Sequence, residues 1–409
     1  MRRETIIYGY QMAQKNYSEQ RSEAISRRHF MSQATVAASA SWLSLNVLAG
    51  CTALPEQNSR ASSDSRDGNA AMDEALVMLA KTGPEYWGGL ANHGPMAAEA
   101  LVTLGRPLAV VPWVEGYKRQ LQSPPESRRS ISREDWREAL GNFSRVGDWI
   151  AFFNRELKER PWRVVLGEWA ERLAPGLVAG ATHGLIRTGH AVRSLGQRET
   201  EARRHELAEG LAYWAARYQL LPAASRERIA GSLKPSQAIK KVETLPVDRR
   251  TRGLISDSLG RLDGFAPFAG VVDFVDTSVD ASSFISDLTE TFAGLYLANA
   301  PRNMIAFIHA VTGPAAIRLL LPYLTPGAKQ SMLRYGWQAA AALYAAFGGV
   351  APEVTVSPEK QGQNRDDLID RAIANGDEHA IKFTEACLRE YALNPKPVYL
   401  VAARHAVDS

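Results

Sequence analysis

The chain has 409 residues, 45% of them hydrophobic and 22% charged, which suits one large core or two ordinary ones and excludes disorder beyond the start. Its net charge of +4 looks basic, but the first 50 residues hold 6 Lys/Arg against 3 Asp/Glu and the rest 42 against 41. A nearly neutral body leaves no electrostatic footprint for nucleic acid.

The first element is an export signal, expected over residues 1–50. Ser26-Arg27-Arg28-His29-Phe30-Met31 carries the paired arginines of a twin-arginine signal, and a mildly apolar run from Ala34 to Gly50 follows, too short and weak for a spanning helix. It ends in Leu48-Ala49-Gly50-Cys51, similar to a bacterial lipobox, so Cys51 is the candidate for lipidation. The expected location is the periplasmic side of the cell envelope, anchored to the membrane. Cys387 is the only other cysteine; with Cys51 acylated no intramolecular disulfide forms, and Cys387 reads as a small buried hydrophobe. The twin-arginine route carries folded proteins, so a metal would be fixed in the cytoplasm, away from competing copper and zinc.

Residues 51–71, rich in Ser, Asn, Asp and Gln, are expected as a flexible tether, with the folded domain at 72–409. Met72, Ala75, Leu76 and Leu79 predict a helix from Met72 to Lys81. Asn92-His93-Gly94-Pro95-Met96 opens another running to Leu104, with His93 at its first turn as either a cap or a ligand, and Trp87, Trp113 and Tyr117 nearby in sequence either wall an aromatic pocket or belong to the core. Residues 122–132 read as a loop, and helices follow near 133–141, 144–159 and 161–173.

From Ala174 to Leu195 the chain is most apolar, and Gly176, Gly180 and Gly184 recur at every fourth position, where another helix can approach closely. His183 and His190, two turns apart, either converge on one ion or are core histidines bonded to carbonyls. Glu201–Leu220 is a helix, and 222–280 is irregular, punctuated by Pro and Gly. Helices are expected at Ser282–Asn299 and Asn303–Val311, the second bearing His309; Thr312-Gly313-Pro314 should end it and start the next, to Tyr323. The hydroxyl of Thr312 is a candidate for orienting an imidazole, as is His190 for a supporting contact. An Ala-rich helix at 328–347, one at 365–375 and a last short one from Pro397 to Ala406 complete the reading. No alternating strands, heptads or repeats occur, so the fold class is all-α: a single large multi-helix domain behind a disordered signal and tether.

Asp377 caps a helix to Tyr391 in which His379 and Lys382 lie three apart, stacking an imidazole and an amine on one face. A lysine turned to a core must find an anion, lose its proton or be chemically changed, for example carboxylated; otherwise its stem is buried and its ammonium reaches water.

Four motifs in order, Asn92-His93-Gly94-Pro95-Met96, Thr182-His183-Gly184-Leu185-Ile186-Arg187, His309-Ala310-Val311-Thr312-Gly313 and Asp377-Glu378-His379-Ala380-Ile381-Lys382, resemble the questin oxidase-like family. The resemblance runs from about residue 75 to 405. Fungal members open anthraquinone rings by inserting oxygen. It implies an Fe(2+) site whose ligands are His93, His183, His309, His379 and a carboxylated Lys382, leaving one position of an octahedral ion open to O2. It implies an oxidoreductase, an oxygenase acting on a cyclic or aromatic ketone or phenol by ring opening or Baeyer-Villiger-type insertion, with a small-molecule substrate and O2 as partners. Arg187 stands where a further histidine is common in the fungal pattern, and His190 where an aromatic residue is. The family is also described as using NADPH, yet no G-x-G-x-x-G follows a strand here, so no flavin or NADPH motif is found. Competing classes are a non-catalytic helical envelope lipoprotein that binds a partner or ligand, and a zinc hydrolase.

Overall fold

The computed structural model describes residues 60–223, 231–251, 253–349 and 364–409. The twin-arginine sequence, Cys51 and residues 52–59 lie outside the described residues. By its contacts the chain divides into Met1–Ser63 and Asp64–Ser409, and the second unit holds the helical domain.

The described chain is helical almost throughout. Its long elements are α1 (Arg60–Leu79), α2 (Gly94–Thr103), α3 (Pro107–Tyr117), α4 (Val146–Glu159), α5 (Trp162–Leu173), α6 (His183–Gln197) and α7 (Glu201–Ala216). Two short helices, α8 (Pro235–Ala238) and α9 (Ile255–Leu259), precede α10 (Ala281–Leu320), α11 (Pro326–Phe347), α12 (Arg365–Asn375), α13 (Glu378–Leu393) and α14 (Pro397–Asp408). A two-stranded antiparallel hairpin, β1 (Glu85–Tyr86) with β2 (Leu90–Ala91), pairs Glu85 with Ala91.

Several expectations are corrected. Helix α1 begins at Arg60, ahead of the Met72 start expected for it. Tertiary contacts hold this end: Arg203, 1% exposed on α7, donates from Nη2 to the Asn69 carbonyl and side chain and from Nε to Asp73. Buried among uncharged groups, a guanidinium needs such acceptors, and meeting them fixes α1. The region expected as a helix at 133–141 forms only a short 3-10 turn, Trp136–Ala139. Helix α3 and the hairpin were not anticipated; Pro112 sits inside α3 and hides its periodicity. The break expected between helices at 282–299 and 303–311 is present, as non-helical backbone at Asn303 (φ −143°, ψ 42°) where two helices meet within α10. Thr312-Gly313-Pro314 lies within it rather than ending it.

Most of α10 is buried, and the Ala281–Tyr323 stretch, long and apolar enough for a membrane span by composition, is a core helix. The main core joins Trp149, Phe152, Phe153 and Trp169 with Leu185, Phe292, Ile317 and Trp337, all under 2% exposed. Each such side chain contributes roughly 1.5–3 kcal/mol by leaving water. A smaller core of Met72, Leu76, Leu101, Val110, Val114 and Ile381 lies under α1, α2 and α3. Cys387 is buried as a free thiol.

Four helices surround one point in the interior. α2 packs on α6, α6 on α10, α10 on α13 and α13 back on α2, closing a ring. His93 leads into α2, His183 opens α6, His309 lies on α10 and His379 on α13.

Candidate metal centre

His93 is the N-cap of α2, with helical dihedrals (φ −93°, ψ −6°) and no side-chain cap of its own. Its imidazole is therefore not used to close the helix. The capping work falls to Asn92, whose Oδ1 accepts from Gly94 N–H at 2.9 Å while its amide donates to the Gly83 carbonyl at 2.9 Å. The backbone N–H of His93 donates to the Tyr117 hydroxyl at 2.8 Å. A Cβ on Gly94 would come within 2.6 Å of Leu79, so only glycine lets α2 start this close to α1.

His183 begins α6 after three consecutive left-handed residues, Gly180 (φ +55°), Ala181 (+59°) and Thr182 (+70°). Such conformations cost non-glycine residues about 1–3 kcal/mol each and recur where function over-determines the backbone. Here the turn aims the Gly180 carbonyl at His183, whose Nδ1–H donates to it at 2.5 Å. Nε2 is left as the lone-pair nitrogen. Gly313 on α10 leaves room for Thr182, 3.2 Å from where a Cβ would stand.

His309 projects from the buried face of α10. Thr312 does not orient it, contrary to expectation: its hydroxyl donates back to the Ile308 carbonyl at 2.9 Å, the usual recourse of a buried helical threonine. Asp377 caps α13, accepting from His379 N at 2.9 Å and Ala380 N at 3.3 Å, and its Oδ1 lies 3.4 Å from His379 Nδ1. Lys382, one turn on and 2% exposed, places Nζ 3.2 Å from His93 Nδ1.

The four rings gather. Centroids are 4.5 Å apart for His93 and His183, 4.5 Å for His93 and His379, 4.4 Å for His183 and His309, and 5.6 Å for His309 and His379. Donor atoms of His93, His183 and His379 all lie within 4.8 Å of one another, and this group has the geometry to hold a metal ion. Burial, followed by the Lys382 and histidine charges, pushes His93 well below the ordinary imidazole range; burial does the same to His183 and His309. Neutral imidazoles are the form a metal binds. Burial also brings Lys382 down to about 8, partly opposed by the Glu378 and Asp377 carboxylates.

Both nitrogens of His309 and Nε2 of His183 are buried without a hydrogen-bond partner. An orphaned buried polar atom costs about 1–3 kcal/mol, and a cation that accepts one lone pair from each ring would account for His183 Nε2 and for one of the two His309 nitrogens. The donors present fit a first-row divalent ion.

One member of this neighbourhood escaped the sequence reading. Glu378, 8% exposed, has Oε1 3.8 Å from His93 Nδ1 and 3.9 Å from His379 Nδ1, and burial raises its carboxyl. The four-residue spacing to Lys382 was the signal. Tyr117, one of the three aromatic residues noted near His93, lies in the unanticipated α3 and reaches the His93 backbone. His190 does not join the four rings: its Nδ1 is bonded to Glu99 at 2.7 Å, in a buried network where Arg193 bridges Glu99 and Glu385.

A helical fold that closes four helices around converging neutral imidazoles defines a class: all-α proteins with an internal histidine group able to hold a metal ion. Within that class the assignment is specific. The profile of the Questin oxidase-like family matches residues 91–387, which takes in all five motif residues, and the chain belongs to that family of oxidoreductases. No curated protein gives a significant match.

Proposed function

We propose that this protein is a non-haem iron oxygenase acting on a cyclic or aromatic ketone or phenol. The carrying observation is the set of buried, partnerless imidazole nitrogens on His183 and His309 beside His93 and His379. His93, His183, His309 and His379 would hold the ion, and Lys382, carboxylated on its amine, would add an anionic oxygen that offsets its charge. Bound iron supplies O2 activation. The protein's own part is to keep His93, His183 and His309 neutral by burial, to fix the His183 tautomer through Gly180, and to hold the His93 backbone through Tyr117. His379, with its side chain 15% exposed against 2–7% for the other three residues, marks the side by which a substrate reaches the cluster.

Glu378 supports a second reading of the oxygen donor, since its carboxylate already faces two of the rings. The test separates the two. Protein folded in the cytoplasm should carry about one iron per chain. His309→Ala should lose it while keeping its helical circular dichroism. Lys382→Ala with reduced iron, partly restored by added small carboxylates, supports the carbamate. An unchanged Lys382→Ala together with an iron-poor Glu378→Gln transfers the role to Glu378, whereas a metal-free wild-type chain, or one holding zinc without O2 consumption, overturns the oxygenase.

A further inference from the structure

Trp87 stands apart in two ways. Among the large apolar side chains exposed in the described residues it is the only aromatic one, at 44% exposure. It also sits at the hairpin tip with φ +41°, a left-handed conformation costly for a bulky residue, where the adjacent Gly88 or Gly89 would carry no such penalty.

From Trp87 the rings run inward without a break. Its ring packs edge-on against Tyr86 with centroids 5.3 Å apart, and Tyr86 packs edge-on against Tyr117 at 6.3 Å. Trp113 stacks on Tyr117 at 4.8 Å and 14°, and donates its indole N–H to the Gly376 carbonyl at 2.9 Å, clamping Tyr117 against the start of α13. The Tyr117 hydroxyl accepts the His93 N–H at 2.8 Å and interacts with the Tyr86 hydroxyl. The hairpin is fixed from behind by Glu85, which accepts from Tyr213 at 2.8 Å and pairs with Arg217. Indole and phenol are the side chains most readily oxidised by one electron, and they occupy every step between solvent and a histidine of the cluster.

We infer that Tyr117, Tyr86 and Trp87 form a conduit through which electrons reach the histidine cluster from the surface, draining oxidising equivalents formed there when no substrate is bound. This rests on the oxygenase reading. The electron lost by Trp87 refills Tyr86 and then Tyr117, so both phenols end unchanged with their protons, and the indole N–H proton leaves to water. A one-electron donor in solution, such as a thiol or ascorbate, restores Trp87. Without a donor, two such losses let the indole add water and release two protons in all, a net gain of one oxygen. The matching reduction takes hydrogen peroxide and two protons to two waters.

The test uses the full chain loaded with Fe(II), its metal content measured, then treated with hydrogen peroxide without organic substrate and mapped by peptide mass spectrometry. Oxygen gain should fall first on Trp87 among the 9 tryptophans and be suppressed by ascorbate. In Tyr86→Phe, and in Tyr117→Phe, that gain should be largely lost and damage should move to the cluster, since phenylalanine does not pass the electron on. Equal Trp87 oxidation in the metal-free chain, or in both phenylalanine variants, means simple attack from solution and overturns the conduit alone. A wild-type chain that binds no metal overturns the oxygenase reading and the conduit with it.

Discussion

Glu209, on α7 behind the helix that carries His183, shows what burial does to a single group. Arg187 gives Nε and Nη2 to Glu206 through bonds of 2.6 and 2.8 Å, and Glu209 is a second carboxylate beside the same guanidinium, its Oε2 3.4 Å from Arg187 Nη1 with neither atom hydrogen-bonded. Burial, only partly opposed by Arg187, raises its carboxyl from 4.5 to about 7. A raised folded value means the contribution to stability is complete below 4.5 and lost as pH rises through about 7. Glu209→Gln, which imitates the neutral acid, should therefore raise the melting temperature clearly more at about pH 8.5 than at about pH 5. An equal change at both values would show that the carboxyl titrates normally. His93, His183 and His309 carry the opposite sense: their lowered values cost stability as pH falls below about 6.5, where the unfolded chain takes up protons first.

The candidate ligands were legible at this scale because each stands in a short motif with an unusual neighbour, such as His93 before Gly94-Pro95 or His379 three residues before Lys382. Supporting residues were not, because support depends on where a hydroxyl points. Thr312 turned back to its own helix, and Tyr117, noted only as an aromatic residue near His93, turned its hydroxyl to the His93 backbone.

At the scale of elements, the small-residue pattern at Gly176, Gly180 and Gly184 was read as a close helix approach, and Gly184 is one. A Cβ there would stand 2.6 Å from the Trp214 Cα, so Gly184→Ala must push α6 off α7 and should cost about 1–3 kcal/mol in denaturant unfolding. Gly294 on α10 faces open space, and Gly294→Ala should be neutral or stabilising by about 0.5–1 kcal/mol. Similar effects at the two sites would mean that α6 and α7 do not touch as described. Gly180 is approached closely as well, with the Tyr213 ring of α7 2.8 Å from where a Cβ would stand, and it is also the first of three left-handed residues. Boundaries were the weaker part of the reading: α6 starts only at His183, and α10 continues through Pro314, because packing on α6 and α11 outweighs the lost hydrogen bond.

For the molecule as a whole, the expectation still to be met is the anchor. Cys51→Ser should move the protein from the membrane to the soluble envelope fraction, and continued membrane association would remove the lipobox from consideration.

By itself the sequence determined the all-α class, since 3.6-residue periodicity is local, and it named candidates for binding a metal, since imidazole chemistry belongs to the residue. It could not determine that α2, α6, α10 and α13 close into a ring. That depends on which apolar faces meet across hundreds of residues, and only there do four scattered histidines gather, with burial lowering the proton affinity of His93, His183 and His309 and leaving nitrogens of His183 and His309 without a hydrogen-bond partner among the described residues.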